Sequence, residues 1–264
     1  MVKLKIISGS SRPGRFNDQV VTFVADCAKE FAGIELEVLD LATINLPFLD
    51  EAKPPMMRDY AHAHTKAWSA KIDEADAFIM VTPEYNHSYS PVLKNAIDYL
   101  FQEWNYKPVS FVSYGSLAGG SRAVEHLRAV AAELKMYDLR EQIMLPNYWE
   151  NLDQEGKFQF SDRHKDNLKE IIKNLTFWAG EMKAARGKLA GGGKVAPRRR
   201  GVVGGASRAG LCRPPLPQAP PRPRGRRPGA ARRRRHRPGR GRRGARRRGG
   251  RAGGPRGTGW QPAH

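Results

Sequence analysis

The sequence predicts an α/β protein: a doubly wound, three-layer sandwich with helices on both faces of a parallel sheet. Apolar runs of strand length alternate with helical patterns through about the first two-thirds of the 264 residues, giving five β-α units in succession. One run, residues 77–81, is apolar at every position, as expected for a strand covered on both faces. Because parallel strands need crossover connections, and these are nearly always right-handed, five such units imply this fold.

The predicted strands and helices alternate along the chain. A first strand at residues 4–7 precedes a helix whose apolar stripe is Val20, Val24, Ala28 and Phe31. Residues 34–39 alternate in polarity and predict a strand nearer the sheet edge. Beyond a proline-bearing stretch, the pattern predicts a helix near 60–73, the strand 77–81, a helix through 92–101, a strand at 109–113, a helix around 124–134, a strand near 139–145 and a helix through 168–178.

The charge of the chain is concentrated in one part of it. The formal net charge is +20, but residues 184–264 hold 25 lysines and arginines and no acidic residue, which leaves residues 1–183 mildly acidic. We therefore predict two parts, a folded domain at 1–183 and a disordered tail at 184–264 built mostly of Arg, Gly, Pro and Ala. Such a tail could arise from a frame-shift or read-through. If translated, it is expected to bind polyanions non-specifically.

The remaining composition bounds the setting of the protein. Cys27 and Cys212 are the two cysteines, and neither has a metal or redox spacing, which favours a reducing compartment. No apolar run reaches the roughly 18 residues of a membrane span, and the N-terminus has too short an apolar run for a signal peptide. We expect a soluble cytoplasmic protein with no metal site and no membrane partner.

In a sheet of this kind, ligands bind beyond the carboxyl ends of the strands, where strand order reverses. The loop after the first strand, residues 8–17, is rich in glycine and hydroxyl groups and runs into a helix N-terminus, which favours phosphate binding. Arg12 and Arg15 add charge, and Ser10 and Asn17 add side-chain donors. The loop lacks the lysine and the glycine pattern of common nucleotide-binding loops. An ordinary βα turn with a Ser or Asn cap is the alternative.

The loop after the third strand reads PEYNHSYSP, residues 83–91. Pro83 ends the strand, and Pro91 suits the first turn of the next helix. Backbone groups near Tyr85 and Asn86 would suit the alternating donors and acceptors of an isoalloxazine edge, and an aromatic side chain could cover the ring. Tyr89 fits packing or a subunit contact equally well. The glycine-rich loop after the fourth strand, residues 113–120, would let the backbone approach a ligand closely.

Three segments together resemble the NADPH-dependent FMN reductase family, which has a flavodoxin-like fold and includes quinone, chromate and azo-dye reductases. They are GSSRPGRFN at 9–17, PEYNHSYSPVLKNAID at 83–98 and SYGSLAGGSRAVEHLR at 113–128. The resemblance extends over roughly residues 3–182 and implies a five-stranded parallel sheet of order 2-1-3-4-5.

The resemblance also implies chemistry. FMN and NADPH are the expected cofactors. A hydride is expected to pass from NADPH (or NADH) to the flavin N5, and two electrons then pass to a quinone, azo, chromate or free-flavin acceptor. Because the flavin carries this chemistry, no catalytic side chain is expected. A homodimer or homotetramer is expected, with the helix after the PEYN segment at the interface, where Leu100, Phe101 and Trp104 are compatible. The expected cofactor-binding residues are Ser10, Arg12, Arg15, Phe16, Asn17, Pro83, Glu84, Tyr85, Asn86, Ser113, Tyr114 and Gly115.

Two other functions stay open at this stage. A flavodoxin-like electron carrier shares the fold, although the mild acidity of residues 1–183 is unlike that of a strongly acidic carrier. An NAD(P)-binding Rossmann-type protein without flavin could use Asp40, at the end of the second strand, to bind a ribose hydroxyl. The physiological electron acceptor and the preference between NADPH and NADH also stay open.

Overall fold

The computed structural model describes residues 1–190 and contains one five-stranded parallel sheet. Its strand order, β2-β1-β3-β4-β5, confirms the predicted fold and topology. All five predicted strands are present, and each is longer than the run that predicted it. They are β1 (Val2–Ser8), β2 (Ile34–Asp40), β3 (Ala77–Pro83), β4 (Pro108–Gly115) and β5 (Tyr137–Pro146).

Within residues 1–190, six α-helices cover the two faces of the sheet: α1 (Asn17–Lys29), α2 (Leu41–Ile44), α3 (Ala63–Asp73), α4 (Pro91–Asp98), α5 (Ser121–Glu133) and α6 (Asp162–Ala190). One apolar layer joins the sheet to α1 and α6, and the other joins it to α2, α3, α4 and α5. Successive β3 side chains, Phe78 and Ile79, enter opposite layers, which explains why residues 77–81 are apolar at every position. No helix of the described range combines the length and apolar character needed to cross a membrane.

The helix after the PEYN segment is shorter than the sequence suggested. α4 ends at Asp98, and the chain then forms a short 3-10 helix, Gln102–Trp104. Leu100 and Trp104 are buried in the second apolar layer, so they pack inside the protomer rather than presenting a face to a partner. Their apolar character is therefore explained by the core, and only Phe101 is partly buried at its margin.

The last helix continues past the boundary predicted at residue 183. α6 reaches Ala190, and its final turns are held by Asp76, the buried residue just before β3. Lys183 Nζ donates to Asp76 at 3.0 Å, while Arg186 donates to Asp76 at 3.2 Å and to the Tyr106 carbonyl at 2.7 Å. The end of α6 therefore lies at the amino-terminal edge of the sheet. The disorder predicted for residues 191–264 lies outside the described residues.

Candidate functional site

A cavity of 360 Å³ lies at the carboxyl ends of the strands, where the sequence predicted a ligand. Its volume falls within the roughly 300–1,000 Å³ typical of small-molecule sites. A larger recess, of 700 Å³, is lined by residues of α5, β5 and α6, most of which are charged or polar. Four loops line the smaller cavity, those after β1, β3, β4 and β5, through Ser10, Arg12, Pro13, Gly14, Arg15, Phe16, Pro83, Glu84, Tyr85, Tyr114, Gly115, Ser116, Tyr148 and Trp149.

The loop after β1 supplies polar groups to one end of the cavity. Ser10 is only 1% exposed, and its Oγ lies 3.4 Å from the Tyr85 hydroxyl. Gly14 has a φ of +63°, and no heavy atom of the described structure comes within 4 Å of where its Cβ would be, so the backbone there is open. Arg12 is exposed, and its guanidinium has no hydrogen bond to any described residue. Arg12 is thus free to bind an anion.

Arg15 lines the same cavity, but its charge is already neutralised. Its guanidinium makes two 2.8 Å hydrogen bonds to the Asp40 carboxylate, another to Asp18 at 2.7 Å, and one to the Ser10 carbonyl. The bonds to Asp40 raise the pKa of Arg15. Partial burial disfavours ionised Asp40, but the hydrogen bonds from Arg15, the Ala42 N–H and Thr43, together with the charge of Arg15, outweigh it and hold the pKa of Asp40 below its usual value. The Asp40 carboxylate is therefore bound by Arg15, so the structure gives no reason to expect it to bind a ribose hydroxyl.

Asn17, predicted as a phosphate donor, lies beneath the cavity instead of in its wall. The side chain is fully buried. Its Nδ2 donates to Ser8 Oγ at 2.7 Å, and its Oδ1 accepts from the Tyr114 hydroxyl at 3.2 Å. Burial raises the pKa of Tyr114, so this phenol stays protonated and can donate. Asn17 thus couples the start of α1 to β1 and β4.

The loop after β3 contains a tight turn that explains one of its unusual residues. The backbone N–H groups of Tyr85 and Ser88 bond to each other's carbonyls at 2.8 and 3.0 Å. They enclose Asn86 and His87, whose φ angles are +49° and +68°. This is a type I′ turn, in which asparagine is favoured for its backbone. The Asn86 side chain is exposed and outside the cavity wall, so its predicted contact rests on the backbone alone.

Glu84 joins the loops that follow β3 and β4. Its Oε1 accepts from Arg122 Nη1 at 2.6 Å, and its Oε2 accepts from the Arg122 backbone N–H at 3.3 Å, in the first turn of α5. The Glu84 N–H also donates to the Tyr114 carbonyl at 2.9 Å. Carboxylates are favourable at helix N-termini. Ser113, by contrast, is buried and donates to the Gly119 carbonyl at 2.9 Å, so it shapes the third loop without lining the cavity.

The loop after β5 forms a fourth wall of the cavity, which was not predicted from the sequence. Asn147 (φ +42°) redirects the chain at the end of β5 into a 3-10 helix, Tyr148–Asn151. Tyr148 stacks on Phe16 with ring centroids 4.1 Å apart, and Trp149 is 50% exposed beside it. The signal was present: NYW directly follows the last strand, and the rule used for the other loops applies equally to this one.

The fold, with its ligand cavity at the carboxyl edge of a 2-1-3-4-5 sheet, places this protein in the flavodoxin-like class. Residues 2–150 match the family model described as NADPH-dependent FMN reductase, and the chain belongs to this family. The resemblance inferred from the three loops and the predicted enzyme class are thereby confirmed.

Similar proteins agree with this assignment. An NAD(P)H-dependent FMN reductase of Schizosaccharomyces pombe is 43% identical over 51% of this chain and 68% of its own. An NADPH:quinone oxidoreductase of Arabidopsis thaliana is 28% identical over 66% of this chain and 90% of its own. Among solved structures, the flavoenzyme NAD(P)H:(acceptor) oxidoreductase FerB of Paracoccus denitrificans shares the fold, with a TM-score of 0.55 and 19% identity over 69% of this chain and 99% of that one.

Proposed function

We propose that this protein holds FMN in the cavity at the carboxyl edge of the sheet and transfers electrons from NADPH or NADH to a small acceptor, with quinones the first candidates. The proposal rests on one observation: a single cavity combines aromatic walls and a buried serine with Arg12, which has no ion-pair partner among residues 1–190. A ligand with an anionic end and a flat conjugated ring fits that arrangement.

Different residues bind the phosphate and the ring of FMN. Arg12, Ser10 Oγ and the open backbone near Gly14 bind the phosphate, close to the N-terminus of α1. The backbone from Pro83 to Tyr85 and the Tyr114–Gly115 segment bind the ring. Glu84 and Arg122 keep the two ring-binding loops at a fixed separation. Bound FMN supplies hydride acceptance and electron donation, and the protein leaves the ring accessible to both reactants.

The charge pairing bears on the choice of nicotinamide. Discrimination for NADPH requires a cation for its extra phosphate. Of the three arginines near the cavity, Arg15 is neutralised by Asp40 and Arg122 by Glu84. Arg12 is assigned to the FMN phosphate. None of these three arginines is therefore left to bind the extra phosphate of NADPH. We expect the kcat/KM values for NADPH and NADH to lie within about tenfold of each other.

The purified protein tests this function directly. Flavin absorbance bands are expected either as isolated or after incubation with FMN. Arg12→Ala is expected to weaken FMN binding about tenfold or more, because it removes a charge-assisted hydrogen bond. Arg163→Ala, which removes an exposed arginine on α6, is the matched control and should bind FMN normally. Protein that stays colourless in excess FMN contradicts the proposal.

The acceptor can be identified by single-turnover reoxidation. The protein, reduced by NADPH, is mixed with quinones, azo compounds, chromate or free FMN, and the rate of flavin reoxidation is compared across the panel. Fast NADPH oxidation without a partner reductase separates a reductase from an electron carrier. We further propose a homodimer or homotetramer, which light scattering during size-exclusion chromatography would test. A protomer mass with full activity would contradict it.

The two-part organisation is tested by truncation. A chain ending at Ala190 should reduce FMN as the full chain does and should lose any salt-sensitive adhesion to nucleic acid, because the arginine-rich residues are removed. Loss of reduction on removing residues 191–264 would contradict the separation into a catalytic domain and a tail. Recovery of arginine-rich peptides by mass spectrometry of the native protein would show that the tail is translated.

A further inference from the structure

The segment after β5, residues 147–160, is a small folded unit that forms part of the cavity wall. Within it, the backbone N–H of Asp153 donates to the Lys157 carbonyl at 2.9 Å, and that of Gln159 donates to the Asn151 carbonyl at 3.1 Å. Leu152 and Phe158 form an antiparallel bridge. The segment thus has its own hydrogen bonds and acts as one piece. We call it the wall segment.

The start of the wall segment is attached to two of the other cavity loops. The Asn147 N–H donates to the Ser116 carbonyl at 3.2 Å, which joins the segment to the loop after β4. The next residue, Tyr148, stacks on Phe16, in the loop after β1. The segment therefore connects these two loops from the β5 side.

The side chain of Gln19 on α1 fixes the far part of the wall segment. Its Nε2 donates to the Gly156 carbonyl at 2.8 Å, and its Oε1 accepts from the Phe158 N–H at 2.8 Å. One amide side chain thus satisfies two backbone groups of the segment. A second contact also joins α1 to the segment: the rings of Phe23 and Phe160 are stacked, with their centroids 3.9 Å apart. Gln19 does not line the cavity, so any effect it has on a ligand passes through the segment.

We propose that the wall segment retains the bound flavin, that Trp149 is the side chain that contacts it, and that Gln19 is a positioning residue that holds the segment in place. The inference rests on the proposed function. Trp149 lines the cavity yet is 50% exposed, so a ring system or ribityl chain entering the cavity would bury more of its indole. Burial of apolar surface and aromatic contact both slow the release of such a ligand.

The release rate of FMN tests the proposal. FMN-loaded protein is diluted rapidly, and release is followed by recovery of flavin fluorescence. Trp149→Ala is expected to release FMN about five- to tenfold faster, as for the loss of one good aromatic contact. Trp149→Phe should restore most of the retention. The control is Trp178→Ala on α6, which removes an indole that packs on Tyr137 at the amino-terminal edge of the sheet and should leave the rate unchanged.

Variants of Gln19 separate positioning from contact. Gln19→Ala removes both hydrogen bonds and is expected to accelerate release about threefold or more, whereas Gln19→Glu keeps the acceptor for Phe158, loses the donor to Gly156 and should fall between. Tryptophan fluorescence gives a second readout: FMN titration should quench Trp149 emission, so Trp149→Phe should lose part of the quenching that Trp178→Phe retains. A purely structural role for Gln19 would lower the unfolding midpoint without changing release.

The outcomes distinguish this inference from the function on which it rests. If the wild-type protein binds FMN and both Trp149→Ala and Gln19→Ala release it at the wild-type rate, the retaining wall is refuted and the flavin function stands. If the wild-type protein takes up no FMN at all, both proposals are refuted together.

Discussion

The ion pair between Glu84 and Arg122 can be tested by a double-mutant cycle. The two side chains connect the loops after β3 and β4 through a 2.6 Å hydrogen bond. Glu84→Ala, Arg122→Ala and the double variant would be compared by urea unfolding. A single variant also leaves the remaining charged group without its partner, which has its own energetic cost. Only the full cycle isolates the interaction energy of the pair.

The expected magnitude follows from the burial of the two groups. The Glu84 side chain is 7% exposed, and that of Arg122 is 41% exposed. A hydrogen bond between charged groups contributes about 1.5–3 kcal/mol. Water partly screens the arginine, so we expect a coupling energy of about 1–2 kcal/mol in the free energy of unfolding. For a domain of this size, 1 kcal/mol corresponds to a shift of about 2–4 °C in Tm.

The exposed pair Lys94–Asp98 on α4 is the matched control. Both of its side chains are more than one-third exposed, and such i,i+4 pairs contribute about 0.3–0.5 kcal/mol. If the Glu84–Arg122 coupling is no larger than that of this control, the two loops are not held together by the pair. In that case the role given to Glu84 in spacing the ring-binding loops would be wrong.

Four further predictions concern stability. Because the pKa of Asp40 is lowered on folding, its contribution is complete above the unfolded value of about 3.9 and is lost as pH falls through the folded value; urea midpoints of Asp40→Asn should therefore fall less than those of the wild type between pH 5 and 2, and equal slopes would contradict this. Asn17→Ala should lower the free energy of unfolding by about 1–3 kcal/mol, because it leaves buried hydroxyl groups unpaired. Asn86→Ala should lower it by about 1 kcal/mol, because alanine disfavours the left-handed backbone at this position. Asn86→Gly, measured in the same urea titration, is the control and should be near neutral. A chain ending at residue 183 should melt below one ending at Ala190, because it lacks the Arg186 bonds to Asp76 and Tyr106; equal Tm values would refute that role of α6.

Local patterns were sufficient to predict the sheet and its ligand edge. Apolar runs identify strands because a parallel strand covered on both faces buries most of its side chains, as residues 77–81 of β3 do. Once the topology is known, the carboxyl-edge rule selects the loops without reference to individual contacts. Three of the four cavity loops followed from that rule.

Which side chains face the cavity depends on partners far away in the sequence. Arg15 resembles a phosphate ligand until Asp40, 25 residues later, is brought beside it. Asn17 resembles a helix-start donor until Tyr114, 97 residues later, donates to it. The Gln19 contact with Phe158 spans 139 residues. The spacing of residues within one loop does not reveal such pairs. Residue types therefore predicted ligand contacts for side chains that bind other residues of the protein in the folded structure.

The position of the α6 terminus has a practical consequence. Asp76 and the Tyr106 carbonyl hold the last turns of this helix at the edge of the sheet where the strands begin, whereas the cavity opens where the strands end. A shortened chain attached to an electrode through a linker at residue 190 would therefore keep its cavity directed toward the solution. Substrates would reach such an immobilised protein from the free side.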